Sequence, residues 1–161
     1  STLSSSSAAS DVYKRQLQTF RDRLSLGGVR ITAIPVDRGD LMSFVYAFEK
    51  SGRRVVYAPC DIKPFPEHRD EVWRPDLLII QPGRFEHGLK HRFKYPGTHP
   101  SRTTLYSFHE TVDLAKRLQA RRTLFVHLEE YWNRTYDDYR ALESKTPSMR
   151  FAHDGMRVVI K

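Results

Sequence analysis

Apolar and polar residues alternate along this chain with two periods, and the change from one to the other divides it. From Val29 to Val36 the order Val-Arg-Ile-Thr-Ala-Ile-Pro-Val is that of a strand, with Gly27-Gly28 before it and Asp37-Arg38-Gly39-Asp40 as a turn after it. Residues 44–49 and 54–58 predict two more strands, joined as a hairpin through Lys50-Ser51-Gly52-Arg53. A helix is predicted over 67–72, and the apolar run 76–80 predicts a buried strand ending at Gln81-Pro82-Gly83. After Ser107 the period lengthens: Val112, Ala115 and Leu118 share one helical face, and Ser107 with Glu110 has the spacing of a capping box. That helix should end near Gln119 and Ala120. Residues 124–126 predict another buried strand, and Thr135 with Asp138 caps a further helix whose Tyr136, Tyr139 and Leu142 can face a sheet. Residues 150–152, an Asp154-Gly155 turn and residues 156–160 predict a closing hairpin. A run of strands followed by β–α–β–α–β–β places the chain in the α/β (α+β) class.

Composition bounds this picture. With 161 residues, 39% of them hydrophobic and 12% aromatic, the chain can bury a core, which excludes disorder throughout. The formal charge of +8 suits a surface that takes anions, phosphate esters and nucleic acid among them, or simply keeps the protein soluble. A single cysteine, Cys60, makes no intramolecular disulfide and points to a reducing, cytoplasmic setting. No apolar run approaches the roughly 20 residues of a membrane helix. Residues 1–16 are low in complexity, and 10–16 read as a translated adapter tail. That stretch is set aside as foreign or disordered, leaving 17–161 as the folded part, with the natural N-terminal part expected to be missing.

Candidate chemistry gathers where strands end. The run 124–126 delivers His127 at its carboxyl end, followed by Glu129, Glu130, Tyr131 and Trp132, and the ends of strands are where α/β proteins place their chemistry. The strand at 54–58 runs into Pro59-Cys60-Asp61, so Asp61 either starts a turn or ligates a metal. Cys60 is a small thiol or, at most, a further ligand. Glu129 can reach a metal through water or pair with Arg121 and Arg122. Residues 84–102 form a long basic segment in which Arg84, Lys90 and Arg92 alternate with Phe85, Phe93 and Tyr95; it is either a flap that receives an anionic substrate or a solvated insertion. His87 and His91 are four apart, but Gly88 argues against a helical metal pair. His109, in the first turn of its helix, is a candidate for proton transfer or a bystander on an exposed turn. Tyr131 and Trp132 either cover the sheet as core or form a patch for a partner, a second copy included.

Four pieces together, Val55-Val56-Tyr57-Ala58-Pro59-Cys60-Asp61, His109-Glu110-Thr111, Leu124-Phe125-Val126-His127-Leu128 and Ala152-His153-Asp154-Gly155-Met156, resemble the C-terminal half of a metallo-β-lactamase-fold hydrolase. Within that superfamily they are most similar to the tRNase Z branch and the related cyclic-phosphate phosphodiesterases. The resemblance implies a partial αββα sandwich holding two divalent metal ions, usually zinc, with manganese the alternative. It implies that Asp61 bridges the metals, that His127 ligates one, and that His109 protonates the leaving oxygen or binds the phosphate. The implied substrate is a phosphodiester, in an anionic small molecule or a nucleic acid, attacked by metal-activated water and held by Arg84, Lys90 and Arg92. Two departures stand out. The family's His-x-His-x-Asp-His motif is absent and should lie upstream of residue 29, so this stretch alone is expected to be inactive and to leave an apolar sheet face uncovered. Where the family carries a ligand histidine before the strand at 44–49, this chain has Arg38, which cannot ligate a metal. Either Asp37 or Asp40 substitutes, or a metal position is altered, or Arg38 grips the substrate phosphate. The alternative is a catalytically degenerate module of the same fold that binds nucleic acid or a partner.

Overall fold

The strand alternation near the N-terminus is realised with the predicted bounds. In a computed structural model that describes residues 22–38 and 43–160, β1 (Arg23–Leu26) turns through Gly27 and Gly28, both at positive φ, into β2 (Val29–Val36). β2 pairs antiparallel with β3 (Ser43–Lys50), and β3 with β4 (Arg53–Ala58). From β4 onward the pairing is parallel, through β5 (Leu77–Ile80), β6 (Thr123–Phe125) and β7 (Met149–Phe151), so that one mixed seven-stranded sheet runs in chain order. The crossovers carry α1 (Ser101–Thr104), α2 (Phe108–Arg117) and α3 (Tyr136–Glu143). The change of direction explains the change of pattern. β5 and β6 are short and almost wholly apolar because inner parallel strands are covered on both faces.

Both long helices start on capping boxes. Ser107 Oγ accepts from Glu110 N and Glu110 Oε2 accepts from Ser107 N at 2.6 Å, and Thr135 with Asp138 repeats the arrangement. Val112, Leu114 and Ala115 of α2 cover Val45, Val56, Leu78, Ile80 and Phe125. An aromatic cluster docks α3: Tyr139 lies 4.5 Å from Phe151, Phe151 4.9 Å from Phe125, and Phe125 5.6 Å from Phe108, ring centre to ring centre. The buried Glu143 accepts from Phe151 N at 2.8 Å and so ties α3 to β7. The opposite sheet face is apolar as well. Its cross-strand rows Ile31–Phe48–Val55 and Tyr46–Tyr57–Ile79 are only partly covered among the described residues, with Tyr57 36% exposed.

Four expectations need correction. β1 was not foreseen, because Arg23–Leu26 is mostly exposed and is held by its hairpin, not by burial. The helix expected over 67–72 is only a 3-10 turn at Asp70–Val72, which follows Pro66 and the backbone turn Arg69 N to Pro66 O. The segment 84–102 is not structureless: it holds a 3-10 turn at Lys90–Arg92, with His91 at φ 56, and ends in α1. Residues 156–160 form no strand, since β7 takes a parallel partner in β6; Arg122 Nη2 instead donates to Val159 O at 2.9 Å. The tail at 1–16 and Asp40 lie outside the described residues. Among the described residues no helix is long and apolar enough to cross a membrane.

Candidate active site

β4, β5 and β6 are parallel neighbours, so the loops that leave them emerge along one rim. The chain leaves β4 through Pro59-Cys60-Asp61 and β6 through Val126-His127. Asp61 (φ 51) and His127 (φ 57) both adopt the left-handed backbone that residues with a Cβ seldom take, at a cost of about 1–3 kcal/mol each. The surroundings hold Asp61 there. Arg38 Nη1 donates to Asp61 O at 2.9 Å, Ser43 Oγ donates to the same oxygen at 2.7 Å, and the Arg38 guanidinium lies 3.8 Å from Asp61 Oδ1. The Arg38 side chain is 10% exposed and that of Asp61 46%, so the arginine faces inward and the carboxylate outward. His127 Nε2 stands 3.3 Å from Glu129 Oε1, with both side chains partly exposed. Between these groups burial, and after it the carboxylates of Asp61 and Glu129, push the Cys60 thiol up to about 11. Both carboxylates are therefore close enough to act on one sulfur, and the thiol stays protonated at neutral pH.

Two members of this rim carried a weak signal in the sequence. Gln81, directly after the apolar run of β5, is 3% exposed, and its Oε1 has no hydrogen-bond partner among the described residues. A polar side chain that ends a buried parallel strand is the signal that could have singled it out. Glu129 turns to His127 and not to Arg121 or Arg122; Arg121 reaches toward Asp76 at 3.8 Å instead.

Aspartate and histidine are donor types that suit zinc or manganese. A catalytic zinc, however, takes about three protein ligands, and among the described residues no three His, Cys, Asp or Glu side chains gather into such a group. The described residues alone therefore do not make a two-metal centre.

His109 is exposed in the first turn of α2 and lines a cavity of about 510 Å³ with His87, Phe108, Lys116 and Arg134, a wall that includes neither Asp61 nor His127. Asp61 and His127 share the rim, and the turn that carries His109 begins at the same end of the sheet, where Gly83 leaves β5 against Ser107 and Thr111. The nearest link is Glu110, 3.5 Å from Lys63 on the segment that follows Asp61.

The basic segment is folded around its own arginines. Arg84, 4% exposed, donates to Ser101 O at 3.0 Å and to Leu105 O, and pairs with Glu86 at 3.2 Å. Arg102 completes this clamp on Glu86 at 3.1 Å and on Tyr95 O at 2.9 Å. Arg84 is thus a structural clamp and no substrate contact, because its guanidinium is enclosed by carbonyls. Lys90 is paired with Glu130, and Arg92 is exposed at φ 55. Of the two aromatics after His127, Trp132 is core, 1% exposed and edge-on to Phe85 at 5.2 Å, while Tyr131 is at the surface.

The sequence profile of the beta-lactamase superfamily domain matches residues 6–128. No curated protein matches the sequence. Among solved structures, the chain is similar to a diphosphatase from the PhnP family, with 17% identity and a TM-score of 0.61 over 94% of this chain and 53% of that one. It is also similar to the metallo-beta-lactamase fold protein YhfI from Bacillus subtilis, with 16% identity and a TM-score of 0.59 over 92% of this chain and 61% of the other. Zn(2+)-bound PqqB from Methylobacterium extorquens shares 15% identity at a TM-score of 0.59, over 86% of this chain and 53% of its own. At these identities the likeness is one of fold. The chain spans 53% to 61% of the length of these structures.

Proposed function

Because the chain belongs to the beta-lactamase superfamily, we propose that it is a metal-dependent hydrolase of phosphodiesters, with Asp61 and His127 among the residues that hold the metal. What carries this reading is the rim: two donors at the carboxyl ends of parallel strands of one sheet, each in left-handed backbone and each beside a charged neighbour. In a soluble enzyme of this kind Arg38 positions Asp61 through its carbonyl, and Glu129 lies against the His127 ring. Further donors must come from outside the described residues, so no step is routed through the metal. The net charge of +8 fits an anionic substrate, and the diphosphatase among the similar folds fits a phosphorus-centred one. Arg92 and Lys90 remain candidates for the approach of that anion, and His109, in the exposed first turn of α2, remains the candidate for proton transfer to the leaving oxygen. The free, protonated Cys60 suits a reducing cytoplasm.

The test is metal content together with bis(p-nitrophenyl) phosphate turnover of the full chain, beside Asp61→Ala and His127→Ala. Both variants should lose metal and at least about a hundredfold in turnover. Unchanged metal content in both would overturn the assignment. A second reading, a degenerate binding module of the same fold, is favoured by the missing third donor among the described residues. A wild-type chain that holds no metal and turns nothing over would select it.

A further inference from the structure

At the end of the sheet opposite the rim, three carboxylates hold six arginines. Glu49, on β3, takes Arg30 at 3.0 Å and Arg54 at 2.7 Å. Glu71 takes Arg23 at 3.1 Å and Arg69 at 3.0 Å. Asp76, just before β5, takes Arg53 at 3.1 Å and lies 3.8 Å from Arg121. Sharing each carboxylate between two guanidiniums fixes both and neutralises one, so the cluster keeps a surplus of positive charge. A guanidinium has five N–H donors; Arg54 spends most of its own on Glu49, Asp70 O and Trp73 O, whereas Arg30 and Arg53 spend one each on their carboxylates. Three more cations at this end are positioned by neutral oxygens, which orient without cancelling charge: Lys50 on Gly27 O at 3.3 Å, Arg74 on Gln119 Oε1 at 3.0 Å, and Arg122 on Val159 O at 2.9 Å. Asp22 and Asp70, beside Arg69, are the other carboxylates close by and leave the excess positive.

The shape favours a long ligand. Two open grooves, of about 740 and 460 Å³, both include Arg30, Glu49 and Arg54 and so run into each other across this end. Their walls are mainly polar, and Trp73, half-buried with its Nε1 held by Glu67 O at 2.8 Å, is the aromatic residue of the wider groove. Positioned, surplus guanidiniums along an open polar track match phosphate oxygens, which accept the planar fork bidentately. An acidic peptide would offer fewer and less regularly spaced anions, and the grooves provide no apolar pocket to anchor its side chains. We propose that this end of the sheet is a docking surface for the phosphodiester backbone of nucleic acid. It lies a strand's length from the rim, about 20 Å along β4, and so it goes beyond the hydrolase reading and does not depend on it.

The experiment is fluorescence anisotropy of the full chain with a labelled single-stranded oligonucleotide and a labelled duplex, in a series of salt concentrations. Replacing Arg30, Arg53 and Arg74 together by Gln should weaken binding at least tenfold at low salt. It should also flatten the log–log salt slope by about 2–3, since each lost phosphate contact removes about 0.7–0.9. Glutamine keeps a hydrogen-bonding side chain in place, and single Arg30→Gln and Arg74→Gln variants, each flattening the slope by about one contact's worth, keep the test valid if the triple variant does not fold. Lys145→Gln with Arg157→Gln, exposed and outside both grooves, removes similar charge and should leave the slope nearly unchanged. Equal losses in both sets would reduce the effect to general charge and overturn the proposal, as would polyglutamate competing on an equal footing with the oligonucleotide. Turnover of bis(p-nitrophenyl) phosphate is a separate measurement, so failure of the rim assignment and failure of this surface are distinguishable.

Discussion

The two ends of the parallel strands hold their polar groups in different ways. At the carboxyl ends, Asp61 and His127 are single residues in left-handed backbone; Arg38 and Ser43 hold the Asp61 carbonyl, and Glu129 lies against the His127 ring. At the amino ends, Arg53, Arg54 and Arg121 draw on carboxylates that also serve other arginines. One end depends on a few positions that the local chain resists; the other spreads its charge over many positions that the local chain accepts. A single replacement at the rim should therefore cost stability and metal together, whereas at the opposite end a single replacement should cost little stability and remove only its own contact. The segment 84–102, between them in sequence, follows neither pattern: its arginines are enclosed, and they hold the loop together.

The largest effect should come where the rim meets α2. Gly83, just past β5, has φ 81, and a Cβ there would run into Tyr106 O, with Thr111 Oγ1 at 2.7 Å and Ser107 O at 2.9 Å. Backbone does not yield as a side-chain tip does, so Gly83→Ala combines left-handed strain with overpacking and should destabilise by about 3 kcal/mol. A urea midpoint within error of the parent would refute this account of the junction. Oligonucleotide binding by the fraction that remains folded should persist, because the arginines are at the other end.

A smaller effect is expected at Arg38. Arg38→Ala removes the N–H that holds Asp61 O from a side chain only 10% exposed, while Ser43 Oγ still donates to that oxygen. The expected loss is about 1–2 kcal/mol, typical of a hydrogen bond from a charged donor. Metal content should fall with it. Arg53→Gln, by contrast, should shift stability by no more than about 0.5 kcal/mol, as for an exposed ion pair. Were Arg53→Gln the costlier of the two, the contrast between the ends would be wrong.

Much of this contrast is invisible in the sequence, for physical reasons. Val29–Val36 and the apolar runs of β5 and β6 were legible because burial imposes period and composition on a strand. The boxes at Ser107 and Thr135 were legible because a cap is local. Asp61 and His127 could be placed past strand ends from the same runs, but what their side chains meet depends on neighbouring loops: of the two alternatives for Glu129, the pairing with Arg121 and Arg122 is not the one the fold makes. The burial of Arg84 ran against the ordinary behaviour of arginine. The sharing of Glu49 rests on register: Glu49 stands opposite Arg30 on β2 and opposite Arg54 on β4. That register follows from two hairpins read together, and reading each strand alone concealed it.

A further effect should appear only in acid, and it probes the sharing itself. Hydrogen bonding from Arg69, then from its own backbone N–H and from Arg23, holds the Glu71 carboxyl at about 2, below its ordinary 4.5. With its folded value depressed, the folded state binds fewer protons than the unfolded chain between those limits. The stability this carboxylate contributes is therefore complete above pH 4.5 and is lost as the pH falls toward 2. Because Arg23 is 62% exposed and solvent screens the pair, the loss should stay near 1 kcal/mol. In Glu71→Gln that share of the acid slope should vanish from thermal melts taken between pH 4.5 and 2. If the variant keeps the parent's full slope, Glu71 does not hold Arg23 and Arg69, and the picture of carboxylates each fixing two arginines fails there.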